Sequence, residues 1–107
     1  MPTRRFSSAQ LFAALGDEIR LGLVDRLCAR GPLSIAELTA GSGVTRQGIT
    51  KHLRVMERSG IARSTRRGRE SVWKVDLRRM EEAQRYLAEI SMQWDKALAR
   101  LQKFVKD

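Results

Sequence analysis

The chain is poor in the side chains most used for disulfides, metal sites and base stacking. Its 107 residues hold one cysteine, one histidine, three Phe, two Trp and one Tyr. A single thiol, Cys28, cannot close an internal disulfide, which fits a reducing cytoplasm. Cys28 and His52 are too few soft ligands for a closed tetrahedral metal site, so neither metal nor other cofactor is expected. One His, one Cys and scattered carboxylates offer no nucleophile–base pair and no paired acids, which argues against an enzyme. Scarce aromatics supply little stacking surface for single-stranded bases. No apolar run approaches about 18 residues, so no membrane span is expected. Met1–Phe6 carries two arginines with no apolar segment behind them, unlike a secretory signal.

Hydrophobic residues at 42% and charged residues at 31% are ordinary for a globular chain. The length suits one domain over residues 1–107. The charge is unevenly spread. Residues 46–79 hold eleven Lys/Arg and three acids, a balance of +8 out of the net +9. Charge this localised is an electrostatic footprint whose natural partner is a polyphosphate backbone.

Periodicity and capping residues divide the chain. Ser7 or Ser8 can cap a short helix that carries Leu11, Phe12 and Leu15 and ends at Gly16. A second helix spans about 17–30 with Leu23, Val24, Leu27 and Cys28 on its apolar stripe, which makes Cys28 a small core residue. Gly31 and Pro32 stop it. Ser34 and Glu37 form a capping box for a third, short helix, broken by Gly41 and Gly43. Thr45 caps a fourth helix, and Gly60 ends it in a Schellman-like turn with Ile61 near Met56. The period then changes. Residues 61–66 and 71–75 read as two strands around a hairpin tip at Arg67–Glu70. Asp76 can cap a last helix running to about Val105.

Two helices around a tight glycine-containing turn, followed by a basic hairpin, form a winged helix-turn-helix. The fold expected is mainly α with a small β-hairpin. On the fourth helix, Ile49, Leu53 and Met56 fall on one side of the wheel. Gln47, Lys51, Arg54 and Arg58 fall on the other, with Thr50 on its shoulder. Such a face suits a major groove: Gln and Thr can read base edges, and Lys and Arg can bind guanine or phosphate. The expected recognition set is Thr45, Arg46, Gln47, Thr50, Lys51, His52, Arg54 and Arg58. His52 lies at the flank, suited to helix packing or a phosphate contact. The wing adds Arg66, Arg67 and Arg69, placed for flanking phosphates or the minor groove.

These motifs resemble the ArsR-type winged-helix repressors of prokaryotes over about residues 9–90. Phe12–Leu21 is similar to the family's "ALGDPTRLRIL" opening. Val44–Leu53 is similar to its "S-x-x-x-[VI]-S-x-H-L" recognition helix, with Thr45 and Thr50 where Ser is usual. Ser59–Ala62 resembles the following "AGLV", and Arg67–Arg69 the wing "R-x-G-R". The resemblance implies a homodimeric repressor that leaves its operator when an inducer binds. Many members sense metals through a Cys pair in the third helix or a His/carboxylate set on the last. This chain has neither, so metal sensing does not carry over, and the inducer is unknown.

On the last helix Met80, Ala83, Leu87, Ile90, Trp94, Ala97, Leu101 and Phe104 alternate steps of three and four, a heptad spacing. A 30-residue helix is about 45 Å long, longer than so small a core needs. Residues 76–105 are therefore expected to form a dimer seam through Met80, Leu87, Ile90, Trp94 and Leu101. The family's interface would add Phe12 and Leu15. The reading is a cytoplasmic homodimer binding a pseudo-palindromic operator in double-stranded DNA, with no membrane contact. Two rivals stand beside it: a redox- or ligand-responsive regulator acting through Cys28, and a winged-helix RNA- or protein-interaction module.

Overall fold

A computed structural model describes residues 7–106; the N-terminal run read above for a leader lies outside the described residues. Helix α1 (Ser8–Leu15) starts in a reciprocal capping box. Ser7 Oγ accepts the Gln10 N–H at 3.0 Å, and Gln10 Oε1 accepts the Ser7 N–H at 3.1 Å. Helix α2 (Glu18–Arg30) is capped by Asp17, whose carboxylate accepts the Arg20 N–H at 3.0 Å, and it ends at Gly31. It buries Leu23, Val24 and Leu27. Cys28 corrects the sequence reading, because it is exposed. At 100° per residue it lies about 90° from the centre of that stripe, on a flank that no described residue covers.

Strand β1 (Leu33–Ser34) leads into α3 (Ile35–Thr39), and the expected Ser34–Glu37 capping box is formed. Helix α4 (Arg46–Arg58) begins at the Thr45 cap, whose Oγ1 accepts the Gly48 N–H at 3.0 Å. It ends in a complete Schellman motif. The Gly60 N–H bonds the Glu57 carbonyl at 3.1 Å, and the Ile61 N–H bonds the Met56 carbonyl at 2.9 Å. Gly60 sits at φ 80°, a conformation costly for any side chain.

Strands β2 (Ala62–Arg67) and β3 (Glu70–Val75) form the hairpin; β2 is displaced by one residue from the sequence expectation, and β3 starts one residue earlier. Arg67 pairs with Glu70, so the turn is only Gly68-Arg69. Positive φ at Gly68 (64°) but not at Arg69 is the pattern of a type II′ turn, which matches strand twist. The sheet order is β1-β3-β2, all antiparallel, with Leu33 opposite Trp73 and Ser34 opposite Val72. Helix α5 (Leu77–Lys106) follows, with Asp76 Oδ1 accepting the N–H groups of Arg78 and Arg79.

The core gathers where α1–α4 meet the base of the sheet. Leu11, Leu38, Ile49, Leu53, Met56 and Ile61 are all buried to below 2% exposure. Three of these six come from the inner face of α4. At about 1.5–3 kcal/mol per buried aliphatic side chain, that face anchors the helix firmly enough to hold its outer face in a fixed orientation.

Candidate nucleic-acid interface

Helix α4 is polarised as its sequence dictates. Ile49, Leu53 and Met56 are wholly buried, while Arg46, Gln47, Lys51, Arg54 and Arg58 are exposed. Gly48 permits the tight start. A Cβ there would lie 2.8 Å from Val44 Cγ1 and 3.2 Å from Thr45 Oγ1, against the residue before the cap and the cap itself. Thr45 still has its hydroxyl hydrogen to offer. The Thr50 hydroxyl donates back to the Arg46 carbonyl at 2.9 Å, leaving its oxygen as an acceptor. Arg54 pairs with Glu57 at 3.2 Å, an exposed contact of about 0–1 kcal/mol that a phosphate can replace.

His52 is half-buried and turned toward the start of α2. Its Nδ1 lies 3.1 Å from Arg20 Nη1 and 3.7 Å from Asp17 Oδ2. Arg20 also donates to the Ala14 carbonyl, which ties the end of α1 to this cluster. The Asp17 carboxyl is held below its ordinary value, chiefly by the Arg20 backbone N–H and then by the charge of Arg20.

The wing arginines divide. Arg66 and Arg69 are exposed and make no ion pair among the described residues. Arg67 lies 3.6 Å from both Glu37 of α3 and Glu70. Three arginines within four residues repel one another, and of the three Arg67 has carboxylates close enough to relieve that repulsion. Glu37 is itself held below its ordinary carboxyl value, first by the Ser34 backbone N–H, then by the Ser34 hydroxyl, with Arg67 adding to the effect. At the base of the wing, Arg63 reaches Asp76 at 3.5 Å.

Along α5 the stripe passes from covered to bare. Ala83 is buried, and Met80, Ile90 and Ala97 are partly covered. Leu87 is 52%, Trp94 66%, Leu101 58% and Phe104 82% exposed. Phe12 and Leu15 of α1 are half-buried against the core, and the Phe12 ring meets Tyr86 of α5 at 5.5 Å. One residue was misjudged by counting charge alone. Arg79, included in the basic stretch, is 5% exposed and bonded inward. Its place four residues before Ala83 on the apolar side of α5 was the available signal. Among the described residues, no three His, Cys, Asp or Glu side chains gather so as to hold a metal ion. None of the described helices is long and apolar enough to cross a membrane.

A helix-turn-helix domain family matches residues 15–65, from the end of α1 into the wing. The Bacillus subtilis HTH-type transcriptional regulator YuzN is 40% identical over 65 residues, covering 55% of this chain and 71% of that protein. An ArsR-like transcriptional regulator from Rhodococcus sp. RHA1 superposes with a TM-score of 0.75 at 32% identity, over 92% of this chain and 89% of that one. The chain belongs to the ArsR-type winged-helix transcriptional regulators. A winged helix-turn-helix DNA-binding domain from Mycobacterium bovis, described as homodimeric, shares the fold at 21% identity, with a TM-score of 0.61 over 84% of this chain and 80% of that one. In this ArsR-type chain α4 is the recognition helix of a DNA-binding regulator and β2–β3 is its wing.

Proposed function

We propose that this regulator is a homodimeric repressor of a pseudo-palindromic operator, released by an inducer other than a metal ion. The carrying observation is the polarity of α4: a fully buried inner face opposite an outer face of donors and cations. Gln47 and Thr50 read base edges, and Thr45, Arg46, Lys51, His52, Arg54 and Arg58 hold the flanking backbone or guanine. Arg66, Arg67 and Arg69 grip phosphates beside the major groove. Phe12, Leu15, Met80, Leu87, Ile90, Trp94 and Leu101 form the two-fold seam. The bare apolar stripe of α5 supports the dimer, since large exposed apolar patches mark association surfaces.

Footprinting on the DNA upstream of the protein's own gene tests the reading, since repressors of this type often regulate themselves. Protection should cover two half-sites about one helical turn apart. Log affinity should fall steeply with log salt, by about 0.9 per phosphate contact. Gln47→Ala should weaken specific binding by about 1–3 kcal/mol and spare non-specific binding, whereas Arg69→Ala should weaken both alike. Equal affinity for unrelated duplexes would instead support a protein- or RNA-interaction module.

A further inference from the structure

Helix α5 packs chiefly on α1 and makes little direct contact with α4, so few groups tie it to the recognition helix. Two polar bonds do. The Asp76 N–H donates to the Ile61 carbonyl at 2.7 Å, just past the end of α4. One turn along, Arg79 Nε donates to the carbonyl of Ser59, the residue that caps α4, at 3.2 Å. The same guanidinium reaches a third element: Nη2 donates to the carbonyl of Ser7, the cap of α1, at 2.8 Å. Nη1 is held by Glu82 at 2.7 Å. The group is 5% exposed, and Ser59 is 6% exposed. A buried charge with this many directed bonds tolerates little displacement of its acceptors, because any shift leaves part of it unpaired.

We propose that Arg79 is a positioning residue that sets the angle between the recognition helix and the α1–α5 platform. A planar fork that bonds the last carbonyl of α4 and the first of α1 fixes where α4 ends relative to both platform helices. This inference rests on the reading that α1 and α5 form the two-fold seam and α4 enters the groove. In such a dimer the angle at each α4–α5 junction determines the distance between the two recognition helices. Arg79, far from the outer face of α4, thus sets which half-site separation the protein accepts. Lysine cannot replace it, since one ammonium does not present a rigid planar fork to two separate carbonyls and a carboxylate.

The test uses duplexes carrying the half-site that the wild-type protein selects from a random-sequence library. The centre-to-centre separation is varied by one and two base pairs either way. Wild type, Arg79→Lys and Glu82→Gln are compared, with circular dichroism and sedimentation establishing fold and dimer for each. Wild type should prefer one separation by about tenfold or more. Arg79→Lys should flatten that preference to within about threefold, with non-specific affinity and salt slope unchanged. Glu82→Gln keeps the guanidinium but removes one of its holds, and should flatten the profile partway; it carries the test if Arg79→Lys does not fold. A purely structural role would lower the melting temperature and reduce binding at every separation by the same factor. Folded variants that keep the wild-type spacing profile would overturn the proposal. A wild type with no sequence preference at all would instead defeat the reading of α4 on which it rests.

Discussion

Arg20 Nη1 lies 3.1 Å from His52 Nδ1, and a guanidinium has no acceptor to offer, so the ring nitrogen accepts. In this arrangement the imidazole carries its proton on Nε2. Arg20 belongs to α2 and His52 to α4, so the contact both ties the recognition helix to α2 behind it and leaves one ring donor for a phosphate. Ring nitrogen NMR should report the Nε2–H form. His52→Asn, which can still accept from Arg20, should keep the fold and lose about 3–10-fold in DNA affinity, within the range of one charge-assisted contact. A dominant Nδ1–H form would refute this assignment.

Gly48 sets two known effects against each other. Alanine is favoured over glycine inside a helix by about 1 kcal/mol. At this position the new methyl would meet Val44 Cγ1 at 2.8 Å, and a β-branched side chain has little freedom to turn away. Overpacking typically costs about 1–3 kcal/mol, so Gly48→Ala should be destabilising by about 1 kcal/mol in denaturant melts. A stabilised variant would show that Val44 yields.

The seam is tested at Leu87 and Trp94, which are 52% and 66% exposed in the single chain. Changing both to Glu places four acids in a two-fold interface, where unpaired buried charge is costly. Sedimentation should show a folded monomer whose operator affinity is lost. A wild-type chain that is monomeric at micromolar concentration yet binds its operator fully would defeat the dimer.

Acid should act first through the caps of α2 and α3. Asp17 and Glu37 both titrate below their ordinary values of 3.8 and 4.5, because backbone N–H groups bond the ionised forms. For a carboxylate depressed by folding, the stabilisation is complete above the ordinary value and is lost as pH falls through the folded one. Helix content should therefore hold down to about pH 4 and decline only below it, and Asp17→Asn should flatten part of that decline. Loss of helix already at pH 5 to 6 would point to another group.

The caps show why so much was legible in the sequence. Ser7, Ser34 and Thr45 act on residues three positions away, as does Asp17, which the sequence reading takes as the first residue of α2, so each helix start is a local matter. The buried face of α4 was equally legible, since Ile49, Leu53 and Met56 follow the helical period. Strand β1 was not. Two residues have no period, and Leu33–Ser34 is a strand only because β3 lies beside it, some forty positions later in the chain. Cys28 failed for a related reason: a wheel gives the direction of a side chain but not whether anything packs there. Arg79 failed because its acceptors are backbone carbonyls at Ser7 and Ser59, which residue type does not reveal.

Among the described residues strand β2 lies at an outer edge of its sheet, pairing on one side only, with β3. An unpaired strand edge is a template on which a second chain can add, the first step toward aggregation. Three of its six residues are arginines, Arg63, Arg66 and Arg67, and another copy of the strand brought alongside would meet them with like charge. The charge proposed to draw the wing to DNA would thereby also keep wings from one another. Alanine substitutions along β2 would surrender both at once, and a protein stripped of these arginines should need high dilution to stay dispersed.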